Sequence, residues 1–142
     1  MQAGRERVTT LKMRAEAEAL RPMREQVRSL LLDSGASPDD MERFLLALNE
    51  ACANIIRHGQ DGAGDIAIEI RCSERRIEAC LRDRGRPISE ETLRPRPLDP
   101  ERPGGLGNLF MHALLDEVRL VDPGRGYVNG LCLRLNRTRE EA

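Results

Sequence analysis

Between Ser37 and Arg82 the spacing of apolar residues changes from a helical period to a strand period, and the order of that change restricts the fold. Met41, Phe44, Leu45, Leu48, Cys52, Ile55 and Ile56 recur at helical spacing and form one apolar stripe. Ser37-Pro38-Asp39-Asp40 is a helix start: Ser37 as N-cap, Pro38 at the first helical position, and acids facing the positive end of the dipole. The helix is predicted to run to His58, with Gly59 taking its terminal turn. After the polar stretch Gln60 to Gly64, Ile66, Ile68, Ile70 and Cys72 alternate with Asp65, Ala67, Glu69 and Arg71. Ser73-Glu74-Arg75 reads as a tight turn, and Ile77, Ala79 and Leu81 then alternate with Glu78, Cys80 and Arg82. Strands joined this closely pair as an antiparallel hairpin with one buried face. A long helix followed by an antiparallel hairpin, without β-α-β alternation, points to the α+β class.

The flanking chain agrees with that class. Arg7 to Arg14 favours a strand through Val8 and Thr9-Thr10. Glu16 to Leu32 reads as a helix with Leu20, Met23, Val27, Leu30 and Leu31 on its apolar face. Pro22 is tolerable only in a first turn, which moves the helix start to about Leu20 or Arg21. Asp33-Ser34-Gly35 stops it. From Arg86 to Pro103 the periodicity dissolves into prolines and charges, and a structureless segment of this length inside a compact domain is usually functional, often a lid. It ends in Gly104-Gly105-Leu106-Gly107, which opens a third helix marked by Leu106, Leu109, Phe110, Ala113 and Leu114. Glu117 to Val121 is a strand, Asp122 to Gly126 a turn, Tyr127 to Leu135 a final strand, and the charged tail from Asn136 is expected to fray. The 142 residues suffice for one domain, 1–142, with a sheet covered by helices on a single face.

Composition removes several functions. A net charge of −1 gives no case for a nucleic-acid or membrane surface. Lys12 is the only lysine, so a P-loop is excluded. No apolar stretch spans a bilayer, and the first residues lack the apolar run of a signal peptide, so a cytoplasmic protein is expected. The cysteines Cys52, Cys72, Cys80 and Cys132 show no C-x-x-C spacing and each falls in an apolar pattern, which predicts buried reduced thiols rather than zinc ligands.

Three local signals carry chemistry. Glu50 and Asn54 lie four apart on the helix side away from its apolar stripe, among Leu46, Ala47, Ala51 and Ala53. Such a face reads either as an ordinary solvated surface or as a smooth wall that a ligand approaches. Asp83-x-Gly85 stands where a strand ends, and Gly104 to Gly107 opens a helix. A glycine-preceded helix N-terminus offers N–H groups and positive dipole to phosphate. An amide oxygen suits Mg²⁺, and a nearby carboxylate can take a proton from an attacking hydroxyl. A strand-end aspartate can accept from the exocyclic amine of adenine, with Gly85 allowing the base close.

In this order, E-x-x-x-N, D-x-G and G-x-G resemble the GHKL ATPases, whose two-layer α/β sandwich is the Bergerat fold. The resemblance is closest to their small RsbW-like branch of anti-sigma-factor serine/threonine kinases. It rests on Leu48 through Gly59, Leu81 through Ile88, and Gly104 through Val118. It implies ATP and Mg²⁺ as cofactors. Glu50 would be the general base, Asn54 the Mg²⁺ ligand and Asp83 the adenine acceptor. Gly85 would border the base, and Gly104, Gly105, Leu106 and Gly107 the phosphates. It further implies a homodimer that phosphorylates a STAS-domain antagonist and inhibits a sigma factor. Where that family often has a threonine near the start of its last strand, this chain reads Val128-Asn129-Gly130-Leu131, and Asn129 is not assigned to the site. Asn108 is also less apolar than the family pattern. His58 and His112 do not lie in a separate dimerisation helix, which argues against phosphoacceptor histidines. The alternative function is a non-catalytic module that holds ATP and regulates by protein contact. A bare ATPase fits less well, because so short a lid supplies no motor or clamp.

Overall fold

The strand-period stretches become an antiparallel sheet, and the helix-period stretches pack across one of its faces. The computed structural model describes residues 6–58, 64–94 and 111–138. In chain order these form β1 (Arg7–Arg14), α1 (Leu20–Asp33), α2 (Pro38–His58), β2 (Asp65–Cys72), β3 (Arg76–Asp83), a short α3 (Glu90–Leu93), β4 (Glu117–Leu120) and β5 (Asn129–Asn136). The sheet has the order β1-β2-β3-β5-β4, and every neighbouring pair is antiparallel.

Local chemistry sets the helix ends. A 3₁₀ turn, Ala17–Ala19, precedes α1, and Pro22 falls in the first turn of α1 as expected. Gly35 adopts φ +77°, a left-handed conformation that glycine takes without steric cost, and Ala36 N–H donates back to Leu31 O as the chain leaves the helix. Ser37 caps α2, accepting from Asp40 N–H at 3.1 Å.

The core lies between the inner sheet face and α1 and α2. Ile66, Ile68 and Ile70, then Ile77, Ala79 and Leu81, then Leu131, Leu133 and Leu135 point inward against Val27, Leu31, Phe44 and Leu48. Cys52 is fully enclosed, and burial pushes its thiol up to about 12 from 9.0. Four expectations need correction. Ala47 and Ala51 are not part of an open wall; they are buried in the core, because α2 packs on α1 as well as on β3 and β5 and so buries a wider arc than one stripe. Residues 111–114 are helical, but Met111 and Leu115 turn inward while Ala113 is exposed; Leu106, Leu109 and Phe110 lie outside the described residues.

The tail does not fray at Asn136. Arg137 donates to Ser73 O at 2.7 Å and Ser34 O at 3.1 Å, and Thr138 donates N–H and O–H to Asp40, each at 2.8 Å. Asp40 is 1% exposed, so a buried carboxylate holds the strap down. Finally, Cys80 and Cys132 are not reduced thiols but a disulfide; they face each other across β3 and β5 on the outer, charged face of the sheet. Cys52 and Cys72 are free and buried, as expected.

Candidate functional site

Two groups of polar side chains stand out, one on α2 and one where β3 ends and β5 begins. The chain leaves α2 at His58 and is described again at Gly64, where an added Cβ would lie 3.8 Å from the guanidinium of Arg84. Arg84 follows Asp83 at the end of β3, so the start of β2 and the strand-end aspartate share that end of the sheet.

On α2, Glu50 and Asn54 are both half-buried. Arg57, one turn beyond Asn54, folds back over them. Its Nη2 donates to Glu50 Oε1 at 2.9 Å and also to Asn54 Oδ1. The carboxylate and the amide oxygen are therefore turned to one point, and that point holds positive charge. Arg57 itself is 56% exposed along its side chain, which leaves the ion pair screened and exchangeable. Two oxygen donors already turned to one cationic group are the donor type that a hard cation such as Mg²⁺ takes. Arg57 was part of the sequence pattern around Asn54 but had no role assigned; its helical spacing of three from Asn54 and seven from Glu50 carried the signal.

At the end of β3, Asp83 is 4% exposed. Its Oδ1 accepts from Gly85 N–H at 2.8 Å and from Asn129 Nδ2 at 3.0 Å. Among the described residues, none donates to Oδ2. The carboxylate is thus fixed through one oxygen by its own chain. Gly85 acts here through its N–H, closing a tight aspartate turn.

Asn129 is the residue that sequence reasoning left out. It begins β5 opposite Asp83 and is 6% exposed. Its Nδ2 also donates to Arg86 O at 2.8 Å, and its Oδ1 accepts from Ile88 N–H at 2.8 Å. One buried amide side chain therefore joins Asp83 to the first residues after the strand, where the lid was expected to begin. The backbone closes the same corner, with Val128 N–H donating to Asp83 O at 2.8 Å. Arg84 donates to Gly126 O at 2.8 Å and lies over the Tyr127 ring, 4.7 Å from its centroid. Next to Asn129, Gly130 has no room for a side chain: an added Cβ would meet Val121 O at 2.7 Å.

Of the expected site residues, Glu50 and Asn54 are brought together by Arg57, and Asp83 and Gly85 by their own turn. Gly104, Gly105, Leu106 and Gly107 lie outside the described residues, as does the lid from residue 95 onward. The described start of that segment, residues 86–94, contains the short α3. No helix among the described residues is long and apolar enough to cross a membrane.

Comparison with known proteins places the chain in a family. Residues 13–136 match the family described as histidine kinase-like ATPase domain. The chain is 29% identical over 120 residues to the serine-protein kinase RsbW of Bacillus mycoides, covering 78% of this chain and 75% of that one. It is 28% identical over 116 residues to the serine-protein kinase RsbW of Halalkalibacterium halodurans, covering 76% and 72%. Among solved structures, it resembles the RsbU and RsbW domains of a Mycobacterium tuberculosis protein, with a TM-score of 0.63 and 22% identity. That likeness covers 92% of this chain and 32% of the larger one, and it concerns the fold. A match across both polar groups and nearly the whole sheet makes this chain a member of the histidine kinase-like ATPase family, similar within it to the RsbW kinases.

Proposed function

We propose that the chain is an ATP-dependent serine/threonine protein kinase that also acts as an anti-sigma factor. Its substrate is a STAS-domain antagonist of that inhibition, and its second partner is a sigma factor. The observation that carries this reading is the convergence of Glu50 Oε1 and Asn54 Oδ1 on Arg57 Nη2. A proton acceptor, a metal-type oxygen donor and an exposed cation on one helix end are parts that phosphoryl transfer uses. Family membership and the RsbW relatives support the nucleotide and the kinase class.

Asp83 would accept from the adenine amine through Oδ2, while Asn129 and Gly85 hold its other oxygen. Asn54 would hold Mg²⁺, which when bound neutralises charge on the phosphates. Glu50 would accept the proton of the partner's serine hydroxyl, and Arg57, released from both oxygens, is positioned to meet a phosphate oxygen. Residues 86–103 would form the lid, anchored at its start by Asn129. Gly104, Gly105, Leu106 and Gly107 would supply backbone N–H groups beneath the phosphates.

The test is transfer of label from γ-labelled ATP to a STAS-domain protein from the same genome. Glu50→Gln is expected to lower transfer by roughly 10²–10⁴-fold with little change in ATP affinity. Asp83→Asn is expected to weaken ATP by on the order of tenfold or more, since it disturbs a buried hydrogen bond to a charged group. Wild-type protein that binds ATP and the partner but transfers no phosphate would refute the kinase reading and leave a nucleotide-holding regulator.

A further inference from the structure

The outer face of the sheet carries a feature that phosphoryl transfer does not use. Across four strands, the register sets Glu69, Cys80, Cys132 and Arg119 in one row, with the disulfide at its centre. The neighbouring row is Arg71, Glu78, Arg134 and Glu117. The disulfide therefore lies among charged residues, on the side of the sheet opposite the core. Cys80 is the more open of its two residues.

Placement separates this pair from the other cysteines. Cys52 and Cys72 are enclosed in the core, and burial pushes both thiols up, which makes them poor nucleophiles. Cys80 and Cys132 contribute nothing to the core cluster. Cys132 is 7% exposed, but neither cysteine belongs to the inner core cluster, and the β3–β5 ladder runs from Arg76↔Asn136 to Asp83↔Asn129 on both sides of the bond. Both oxidation states are thus compatible with the same fold. The bond is nonetheless well placed to act on the site. Asp83↔Asn129 lies three register positions along that ladder from Cys80↔Cys132, about 10 Å at the usual strand rise. The staple spans the two strands that must stay together for Asn129 to hold Asp83.

We propose that Cys80 and Cys132 form a reversible dithiol–disulfide site, exchanging with low-molecular-weight thiols and disulfides, whose oxidised form clamps the ladder that holds Asp83 to Asn129. In the reducing direction, a small-molecule thiolate attacks the Cys80 sulfur. The Cys80–Cys132 bond breaks, a mixed disulfide forms on Cys80, and Cys132 leaves as a thiolate. A second thiolate attacks the small-molecule sulfur of that mixed disulfide, releasing Cys80 as a thiolate and the small-molecule disulfide. Two protons from the attacking thiols end on the two cysteines. Oxidation by a small-molecule disulfide is the reverse, with two electrons passing to that disulfide.

The experiment uses the full chain treated with dithiothreitol or with oxidised glutathione. Exposed thiols are alkylated under native conditions and counted by intact mass, and amide hydrogen exchange is then followed in β3 and β5. Native reduction is expected to yield two alkylated cysteines, Cys80 and Cys132, and glutathione disulfide is expected to restore the bond. Exchange in β3 and β5 is expected to be about tenfold or more slower in the oxidised form. Cys80→Ser with Cys132→Ser is expected to fold and to show no redox response.

A bond that reduces only in denaturant, alkylation on Cys52 or Cys72 instead, or equal exchange in both states would each overturn the proposal. The effect on nucleotide rests on the proposed function: ATP is expected to bind about fivefold or more tightly to the oxidised form. Protein that binds no ATP in either state but still shows the exchange difference would refute the nucleotide reading and leave the redox site intact.

Discussion

Asn129→Ala isolates the role of one buried amide. The side chain is 6% exposed and makes three hydrogen bonds: to Asp83 Oδ1 at 3.0 Å, to Arg86 O at 2.8 Å, and from Ile88 N–H at 2.8 Å. The first goes to a charged group, and such bonds contribute about 1.5–3 kcal/mol. The other two are neutral and contribute about 1 kcal/mol each, less where water replaces them. Arg86 is exposed and Ile88 half-buried, so water recovers part of both. Asp83 keeps the Gly85 N–H. The net loss expected is therefore about 3 kcal/mol, a large share of the roughly 5–15 kcal/mol that holds a domain together. Urea unfolding reads it as a lower midpoint at unchanged slope. Calorimetry on the same variant should show weaker ATP binding, because Asp83 is no longer held from β5. A loss below about 1 kcal/mol with wild-type ATP affinity would mean that water satisfies the corner without Asn129, and the hub argument would be refuted.

Three further outcomes follow from burial and space. Gly130→Ala places a Cβ 2.7 Å from Val121 O, a backbone atom, and is expected to cost about 1–3 kcal/mol in urea unfolding; Gly126→Ala, at φ +89° but in open space, is expected to cost only the left-handed strain of about 1 kcal/mol. Burial raises the Cys52 thiol to about 12 from 9.0, so the unfolded chain loses that proton first: the stability is fully present below about pH 9 and declines as pH rises toward 12. Unfolding free energies measured across that range should fall less steeply in Cys52→Ala, and an identical slope would remove Cys52 as the cause.

Much of the fold was legible because single residues speak through period and capping. Ile66, Ile68 and Ile70 announce a half-buried strand whatever they pack on, and Ser37 and Pro22 mark helix starts through local geometry alone. Glu50, Asn54 and Asp83 drew notice because a polar residue type stood at a distinctive spacing, and the structure gives each of them a polar partner. What escaped depends on which strand lies beside which. Cys80 and Cys132 are 52 residues apart, and only the β3–β5 register puts them face to face. Asn129 looks like an ordinary polar residue near the start of a strand until Asp83 is set opposite it. The strap was hidden for the same reason: Asp40 reads as a first-turn acid, and nothing local shows that Thr138 will cover it. Ala47 and Ala51 were misplaced because a period reveals one packing partner, whereas α2 has two layers against it.

The strand order also has a consequence for the sequence of folding events. β2 and β3 form a local hairpin, as do β4 and β5, while β3 and β5 meet only when those hairpins dock. Asp83 belongs to the first hairpin and Asn129 to the second. Docking must bridge a long stretch of chain and so comes later than either hairpin closes. The Asp83–Asn129 corner, proposed above as the adenine contact, is divided between two such units and is absent from any half-assembled intermediate. A ligand held there stabilises only the docked state, and it slows unfolding most when separation of β3 from β5 is the first step to fail.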